Sequence, residues 1–333
     1  MVDFAETVVN DTLKTAILSI PQRQRRWIAF FHASSLFMVF LCYNSVQMKL
    51  PSILQAAFPK RPVDLHKYSA GTVTVVGGSF HYIHAPVLAG LGARSAGAGL
   101  VQLVVPDASR IAAGSLVPEA TFIKQTPACV PPRADVTVVG MGLGITQNSE
   151  MLLSRILSGS TGRFVLDADA LGILAKWYAG EKRATPVTEG QQLVLTPHAG
   201  EAARLLACKP EDILADRPAA LRKLVARYHA TVVLKGPHTL VGAPDRDDVF
   251  TCDAGNPFMA LGGMGDLLSG ILAARWAALA KRGTDDAFLA SAAAVWLHAT
   301  ASDTIVSATP PEDPSVVNTA RHVASLCVLQ ERC

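Results

Sequence analysis

The chain has 333 residues, with 30 lysines and arginines against 27 aspartates and glutamates; 50% of it is hydrophobic and only 17% is charged. A charged fraction below the roughly 25% of ordinary globular proteins excludes an intrinsically disordered chain, and the near balance of charge leaves no basic footprint for nucleic acid. A mean hydropathy of +0.30 poses instead a membrane question that a particular segment has to answer.

Residues 1–50 contain no glycine, unlike the rest of the chain. Residues 1–59 therefore read as an N-terminal extension, and 60–333 as a single domain. Within the extension, Trp27–Val46 follows Arg23, Arg25 and Arg26 and has about the 20 residues that a bilayer span needs. His32, Ser34, Ser35, Asn44 and Ser45 interrupt it. Two other readings compete with an anchor: an amphipathic or buried helix, or a segment outside the natural product, since Met48 opens an alternative start, MKLPSILQAAFP. The expectation is a cytoplasmic protein, with membrane anchoring through 27–46 as the lesser alternative. The six cysteines, at 42, 129, 208, 252, 327 and 333, form no CxxC pair, which argues against zinc and fits inert thiols in a reducing compartment.

Beyond residue 60 short β-branched runs alternate with Ala/Leu-rich stretches. The predicted strands are Thr72–Val76, Val101–Val105, Val136–Val139, Phe164–Asp167, Leu193–Thr196 and Thr231–Lys235, followed by a short β section, TLVG and VFTC, around the polar loop APDRDD. None alternates apolar with polar, as expected of strands covered on both faces. The predicted helices are Pro86–Ala98, Glu150–Leu157, Ala199–Ala207, Pro218–His229, Leu267–Lys281 and Asp286–Ser302. This alternation predicts an α/β fold: a central, mostly parallel sheet with helices on both faces. Ligands of such sheets bind beyond the carboxyl ends of the strands.

The chemistry-bearing residues fall at those ends. Gly77-Gly78-Ser79 follows the first run, with Ala85-Pro86 opening a helix; Gly140-Met141-Gly142-Leu143-Gly144 follows VTVV; Asp167-Ala168-Asp169 follows FVL. In Thr196-Pro197-His198-Ala199-Gly200-Glu201, His198 and Glu201 could meet substrate or a water-bound Mg²⁺, which needs few protein carboxylates; the plainer reading makes Glu201 a first-turn acid facing the helix dipole. Lys235-Gly236-Pro237-His238-Thr239 offers a cation and a hydroxyl suited to a nucleotide, or else a turn with a surface lysine. In NPFMALGGMGDLLSG, Gly262, Gly263, Met264 and Gly265 precede Asp266 and an apolar helix. Uncapped helical N–H groups behind permissive glycines make an anion hole, and Asp266 stands where a base could take a proton from an attacking hydroxyl. A glycine-rich turn with Asp266 as N-cap accounts for the spacing equally well.

Taken in order, HKYSAGTVTVVGGS, HYIHAP, GARSAGAGLV, VVGMGLG, VLDADAL, LTPHAGEAARLL, VVLKGPHTLV and GNPFMALGGMGDLLSGILAA resemble the ADP/ATP-dependent NAD(P)H-hydrate dehydratases over roughly residues 62–305. GGxGD alone marks only the wider ribokinase-like superfamily. The resemblance implies a ribokinase-like three-layer α/β/α fold and a hydro-lyase that repairs hydrated NADH and NADPH (the S epimer). A nucleotide phosphorylates the ring hydroxyl, and loss of phosphate restores the double bond. It implies that Ala85, Gly142, His198 and Asp266 contact the hydrated dinucleotide. Lys235, Gly236, Pro237, His238, Thr239 and Gly265 would hold the adenine nucleotide, with Asp266 as the base. TPHxGE and GGMGD resemble the bacterial branch, which uses ADP; the eukaryotic branch uses ATP. Mg²⁺, a homotetramer and a separate NAD(P)H-hydrate epimerase in the same pathway are further implications. Where the family has glycine, this chain has His84, within Tyr82-Ile83-His84-Ala85-Pro86. The alternatives weighed against the repair lyase are a ribokinase-like sugar or vitamin-precursor kinase, which would leave a stable phosphorylated product, and a nucleotide-binding protein without catalysis.

Overall fold

The computed structural model describes residues 50–159, 162–179 and 190–332. Trp27–Val46 lies outside them; among the described residues no helix is long and apolar enough to cross a membrane. In chain order the elements are β1 (Thr72–Val76), α1 (Ala85–Ser95), β2 (Leu100–Val105), α2 (Asp107–Leu116), β3 (Thr121–Lys124), β4 (Val136–Val139), α3 (Gln147–Ser158), β5 (Arg163–Leu166), α4 (Asp169–Ala179), β6 (Gln192–Leu195), α5 (Ala199–Leu206), α6 (Pro210–Ala215), α7 (Arg217–Tyr228), β7 (Thr231–Leu234), β8 (Thr239–Gly242), β9 (Phe250–Cys252), α8 (Met264–Lys281), α9 (Ala287–Ser307) and α10 (Val316–Arg332).

The strands form a nine-stranded sheet in the order β3-β2-β1-β4-β5-β6-β7-β8-β9. The pairs from β3 across to β7 are parallel, while β8 and β9 extend the edge antiparallel. Each predicted strand is present. Alternate residues of one strand feed opposite cores: Val136 and Val138 face one, Val139 the other; Val165 faces the first, Phe164 and Leu166 the second. That double burial is why the runs show no polar alternation, and it confirms helices on both faces.

Several elements were not anticipated. β3 (TFIK) is an edge strand whose end residues are exposed, so its apolar run is too short to stand out. α10 (VVNTARHVASLCVLQER) is amphipathic and follows the proline-rich stretch 309–314. α4 starts at Asp169 itself, one of the two carboxylates expected simply at a strand end. The last predicted helix runs on to Ser307. Leu54, Ala57 and Phe58 are buried in the first core, with the Phe58 ring edge-on to Trp296 at 6.0 Å. The compact unit thus includes residues ahead of position 60.

α8 and α9 account for much of the high hydropathy. Leu267 through Leu279 are buried without a break, and α9 is buried from Phe288 to Ser302. Helices apolar all round belong in an interior. α8 crosses α1 so closely that backbones touch. A Cβ on Gly270 would stand 1.8 Å from the Ala89 carbonyl oxygen, and one on Gly92 would stand 2.2 Å from that of Leu267. This contact fixes where the first turn of α8 points.

Candidate active site

The chain steps outward from β1 to β2 and β3, then returns to β4 on the other side of β1. That reversal opens a crevice at the carboxyl ends of β1 and β4. Gly142 lies in it, buried with φ +64°, and a Cβ there would stand 2.4 Å from the Tyr82 Cβ and 3.3 Å from that of Ala85. Only glycine combines that left-handed backbone with that approach. Gly142 and Ala85 are thus neighbours, as a shared ligand requires. His84 is exposed and forms no capping bond to α1.

Asp169 accepts a hydrogen bond from the Gly144 N–H (2.7 Å), tying the β4 loop to the start of α4. Beside it Asp167 is 1% exposed and fully engaged. Its Oδ1 accepts from the Ala168 N–H (2.9 Å) and from Lys235 Nζ (2.8 Å), and its Oδ2 accepts from Ser269 Oγ (2.6 Å). Burial alone would raise its pKa, but the Lys235 ammonium and the donated hydrogen bonds outweigh it and hold the carboxyl below the usual carboxylate range. Lys235 is therefore not the surface lysine of a turn. Burial opposes its charge, yet Asp167 and Glu201 keep it protonated, with its pKa raised.

His198 caps α5. Its Nδ1 accepts the Gly200 and Glu201 N–H groups (3.0 and 3.4 Å), and Glu201 Oε2 accepts the His198 N–H (2.8 Å). The reciprocal capping box explains Glu201 at this spacing. Glu201 is buried, with Oε2 3.8 Å from Lys235 Nζ. Thr239 Oγ1 donates to the Gly236 carbonyl (2.9 Å), His238 Nδ1 lies 3.0 Å from Asp253 Oδ1, and Arg217 donates to the Leu234 (3.0 Å) and Pro237 carbonyls. Arg217 holds the Lys235–Thr239 loop across 20 residues, a link no local motif reveals.

The first turn of α8 closes the site. Its N-cap is Gly263, φ +96°, with no side chain capping it. Met264, Gly265 and Asp266 form the first three helical positions, so Asp266 is not the N-cap that the alternative reading made it. A Cβ on Gly265 would stand 3.4 Å from Lys235 Nζ, so lysine and helix start converge on one point. Burial first, then the charges of Asp167, Glu201 and Asp169, push the Asp266 pKa up to about 7 against the pull of Lys235. A carboxyl that titrates near neutrality beside an anion site is suited to proton abstraction. The contacts thus join motif residues into one arrangement: Asp169 ties the Gly144 loop to α4, Asp167 and Glu201 hold Lys235, and Lys235 meets the first turn of α8. Asp167, Ser269, Asp169 and Arg217 complete it; of these, the strand-end position of Asp167 and Asp169 was the only advance signal.

As for a metal, no group of three or more His, Cys, Asp or Glu among the described residues is arranged to hold one. Asp167 and Glu201 already serve Lys235 and the α5 cap. The donor set fits a Mg²⁺ that keeps its waters and is carried on nucleotide phosphates, not a protein cage.

His298, on α9, also borders the Lys235 end of the site. It is 5% exposed, and its Nε2 is buried with no protein partner. Burial, helped by the Lys235 charge, pushes its pKa down to about 4. The folded protein thus keeps His298 neutral, whereas the unfolded chain takes up a proton below its ordinary value. This contribution to stability is complete above pH 6.5 and is lost as pH falls towards 4. A shift of that size corresponds to about 3 kcal/mol. Urea unfolding at pH 7 and pH 4.5 should show His298→Leu losing about 2 kcal/mol less between the two than the wild type does.

In fold the chain is similar to a ribokinase-like superfamily protein of Enterococcus faecalis, with a TM-score of 0.70 at 24% identity, covering 84% of this chain and 95% of that one. The family model described as NAD(P)H-hydrate dehydratase matches residues 73–316. The chain is 40% identical over 257 residues to the ADP-dependent (S)-NAD(P)H-hydrate dehydratase of Neisseria meningitidis, covering 74% of this chain and 81% of that one. It is 36% identical over 273 residues to the bifunctional NAD(P)H-hydrate repair enzyme of Gloeobacter violaceus, covering 78% of this chain but 50% of that protein. The chain therefore spans about half the length of such bifunctional relatives. In fold it is similar to the ADP/ATP-dependent NAD(P)H-hydrate dehydratase of Bacillus subtilis co-crystallised with ATP and Mg²⁺, with a TM-score of 0.71 at 23% identity, covering 84% of this chain and 96% of that one. This protein belongs to the NAD(P)H-hydrate dehydratase family.

Proposed function

We propose that this protein dehydrates the S epimer of hydrated NADH and NADPH at the expense of a nucleotide, with ADP as the donor. The observation that carries the reading is the convergence of Lys235, the open first turn of α8 and the near-neutral carboxyl of Asp266. Water is a poor leaving group, so a lyase acting on a ring hydroxyl benefits from a kinase-like site. Asp266 takes the hydroxyl proton as the oxygen attacks phosphorus, and the donor ADP departs as AMP. The N–H groups of Gly263 and Gly265 and the Lys235 ammonium meet the charge that develops on the phosphoryl oxygens. Phosphate then leaves the ring carbon, a proton is lost from the neighbouring carbon, and the ring double bond returns. Mg²⁺, when bound, neutralises phosphate charge.

In this reading Ala85, Gly142 and His198 contact the hydrated dinucleotide, and Lys235–Thr239 with Gly265 hold the adenine nucleotide. Residues 60–333, together with the core-forming Leu54, Ala57 and Phe58 ahead of them, form the catalytic domain, the protein works in the cytoplasm as a homo-oligomer, a tetramer by analogy with the family, and an epimerase supplies the S form. The Neisseria meningitidis relative, an ADP-dependent enzyme by name, supports the choice of donor. Incubation with hydrated NADH and ADP or ATP, followed at the absorbance of reduced nicotinamide, tests the proposal. Recovery that needs nucleotide and releases inorganic phosphate is expected. Phosphate retained on a small hydroxyl compound instead would indicate the kinase, and nucleotide binding without either product a protein that binds but does not catalyse.

A further inference from the structure

A lysine at a strand end normally keeps its four-carbon stem free, and about 2 kcal/mol of rotamer entropy has to be lost when its ammonium is fixed on a ligand. Lys235 is fixed already. Asp167 holds it at 2.8 Å, and Asp167 in turn receives Ser269 Oγ at 2.6 Å and the Ala168 N–H at 2.9 Å. Ser269 lies on α8, one turn beyond Asp266, so the same carboxylate ties the lysine to the helix that carries the base. Ala168 adopts φ +50°, a left-handed conformation unfavourable for alanine, directly after it. Buried ion pairs add little net stability compared with apolar packing, so stability alone is a weak reason for this arrangement. Asp167 occupies one of the three ammonium donors at hydrogen-bonding distance, while Glu201 stands off at 3.8 Å. Nζ itself stands 3.4 Å from where a Cβ on Gly265 would lie, at the helix start where an anion would sit.

We propose that Asp167 is the positioning residue of this site: anchored by Ser269, it holds the Lys235 ammonium beside the first turn of α8, so that a nucleotide phosphate meets the cation already in place. The inference rests on Lys235 being the phosphate ligand of the function proposed above. It is tested by a double-mutant cycle on the full chain, using wild type, Asp167→Asn, Lys235→Met and the double variant. ADP affinity is measured by titration calorimetry and kcat/KM on hydrated NADH in parallel. Asp167→Asn is expected to weaken ADP binding about tenfold in the wild-type background and less than about twofold when Lys235 is already Met, because contacting residues couple and independent ones do not. An equal loss in both backgrounds would show a merely structural role. A gain in ADP affinity would show that Asp167 quenches the lysine and does not present it. Either result overturns the proposal, as does a wild type that fails to bind ADP. If Asp167→Asn does not fold, Ser269→Ala takes its place in the cycle, with the same sign and a smaller effect. A wild type that binds ADP but leaves hydrated NADH unchanged would sink the proposed activity, while the affinity cycle would still decide the role of Asp167.

Discussion

Asp266→Asn is expected to lower kcat on hydrated NADH by about a thousandfold while leaving ADP affinity within about twofold, the signature of a group needed for proton transfer and not for binding. The substitution keeps the shape of the side chain, and the anion site is built from N–H groups and Lys235, neither of which needs the carboxylate. Two further measurements separate this outcome from damage to the fold. In the wild type, kcat/KM should fall about tenfold per pH unit below the carboxyl's pKa, which lies at about 7. Stability should move the other way. A carboxyl whose pKa is raised on folding contributes stability at low pH and loses it as pH rises from its ordinary value through about 7. Removing the charge should therefore make Asp266→Asn more resistant to urea than the wild type at pH 8, and about equal to it at pH 3. An Asn variant that retained turnover would remove Asp266 from the mechanism.

Gly270→Ala is expected to cost about 3 kcal/mol or more in urea unfolding, at the upper end of overpacking effects, because the added methyl has no side chain to push aside. It would stand 1.8 Å from the Ala89 carbonyl oxygen, 2.7 Å from the Ala89 carbonyl carbon and 2.8 Å from the Ala93 nitrogen, all backbone atoms of α1. Relief requires the two helices to separate, which would also shift the first turn of α8. Activity should therefore fall together with stability. Gly114 provides the control: it lies in α2, and a Cβ there would meet nothing within 4 Å. Gly114→Ala should be neutral or stabilising by up to about 1 kcal/mol, as helix propensity dictates. Equal behaviour of the two variants would refute the close-packing account.

Much of the site was legible because parallel sheets place function at strand ends. Once VTVV, FVL, LVL and TVVL were read as doubly buried strands, the glycines, carboxylates and Lys235 that follow them had to share one edge of the sheet. Order along the chain therefore converted into proximity in space without knowledge of any contact. Where two local readings competed, the sequence could not choose between them. Glu201 as a metal-side carboxylate or a cap, Lys235 on a surface or inside, and Asp266 as cap or base all depend on surroundings brought in from distant segments. Among the described cysteines, burial pushes the Cys252 and Cys327 pKa values up to about 11, too high for reactive thiolates at neutral pH.

The amino-acid sequence by itself determined the layered α/β architecture, the crevice edge and the residue types available there. Double burial leaves its mark on the inner strands, though not on the edge strand β3, and glycine positions mark where a ligand or another backbone must come close. The tertiary structure alone decided the ionisation of the site. Asp167 and Lys235 are 68 positions apart and Asp167 and Ser269 are 102 apart, yet each pair is hydrogen-bonded. Burial first, then the Asp167 charge, lift the Asp266 pKa to about 7 against the pull of Lys235. Burial and charge–charge distance are properties of the assembled fold, and no local pattern of residues encodes them.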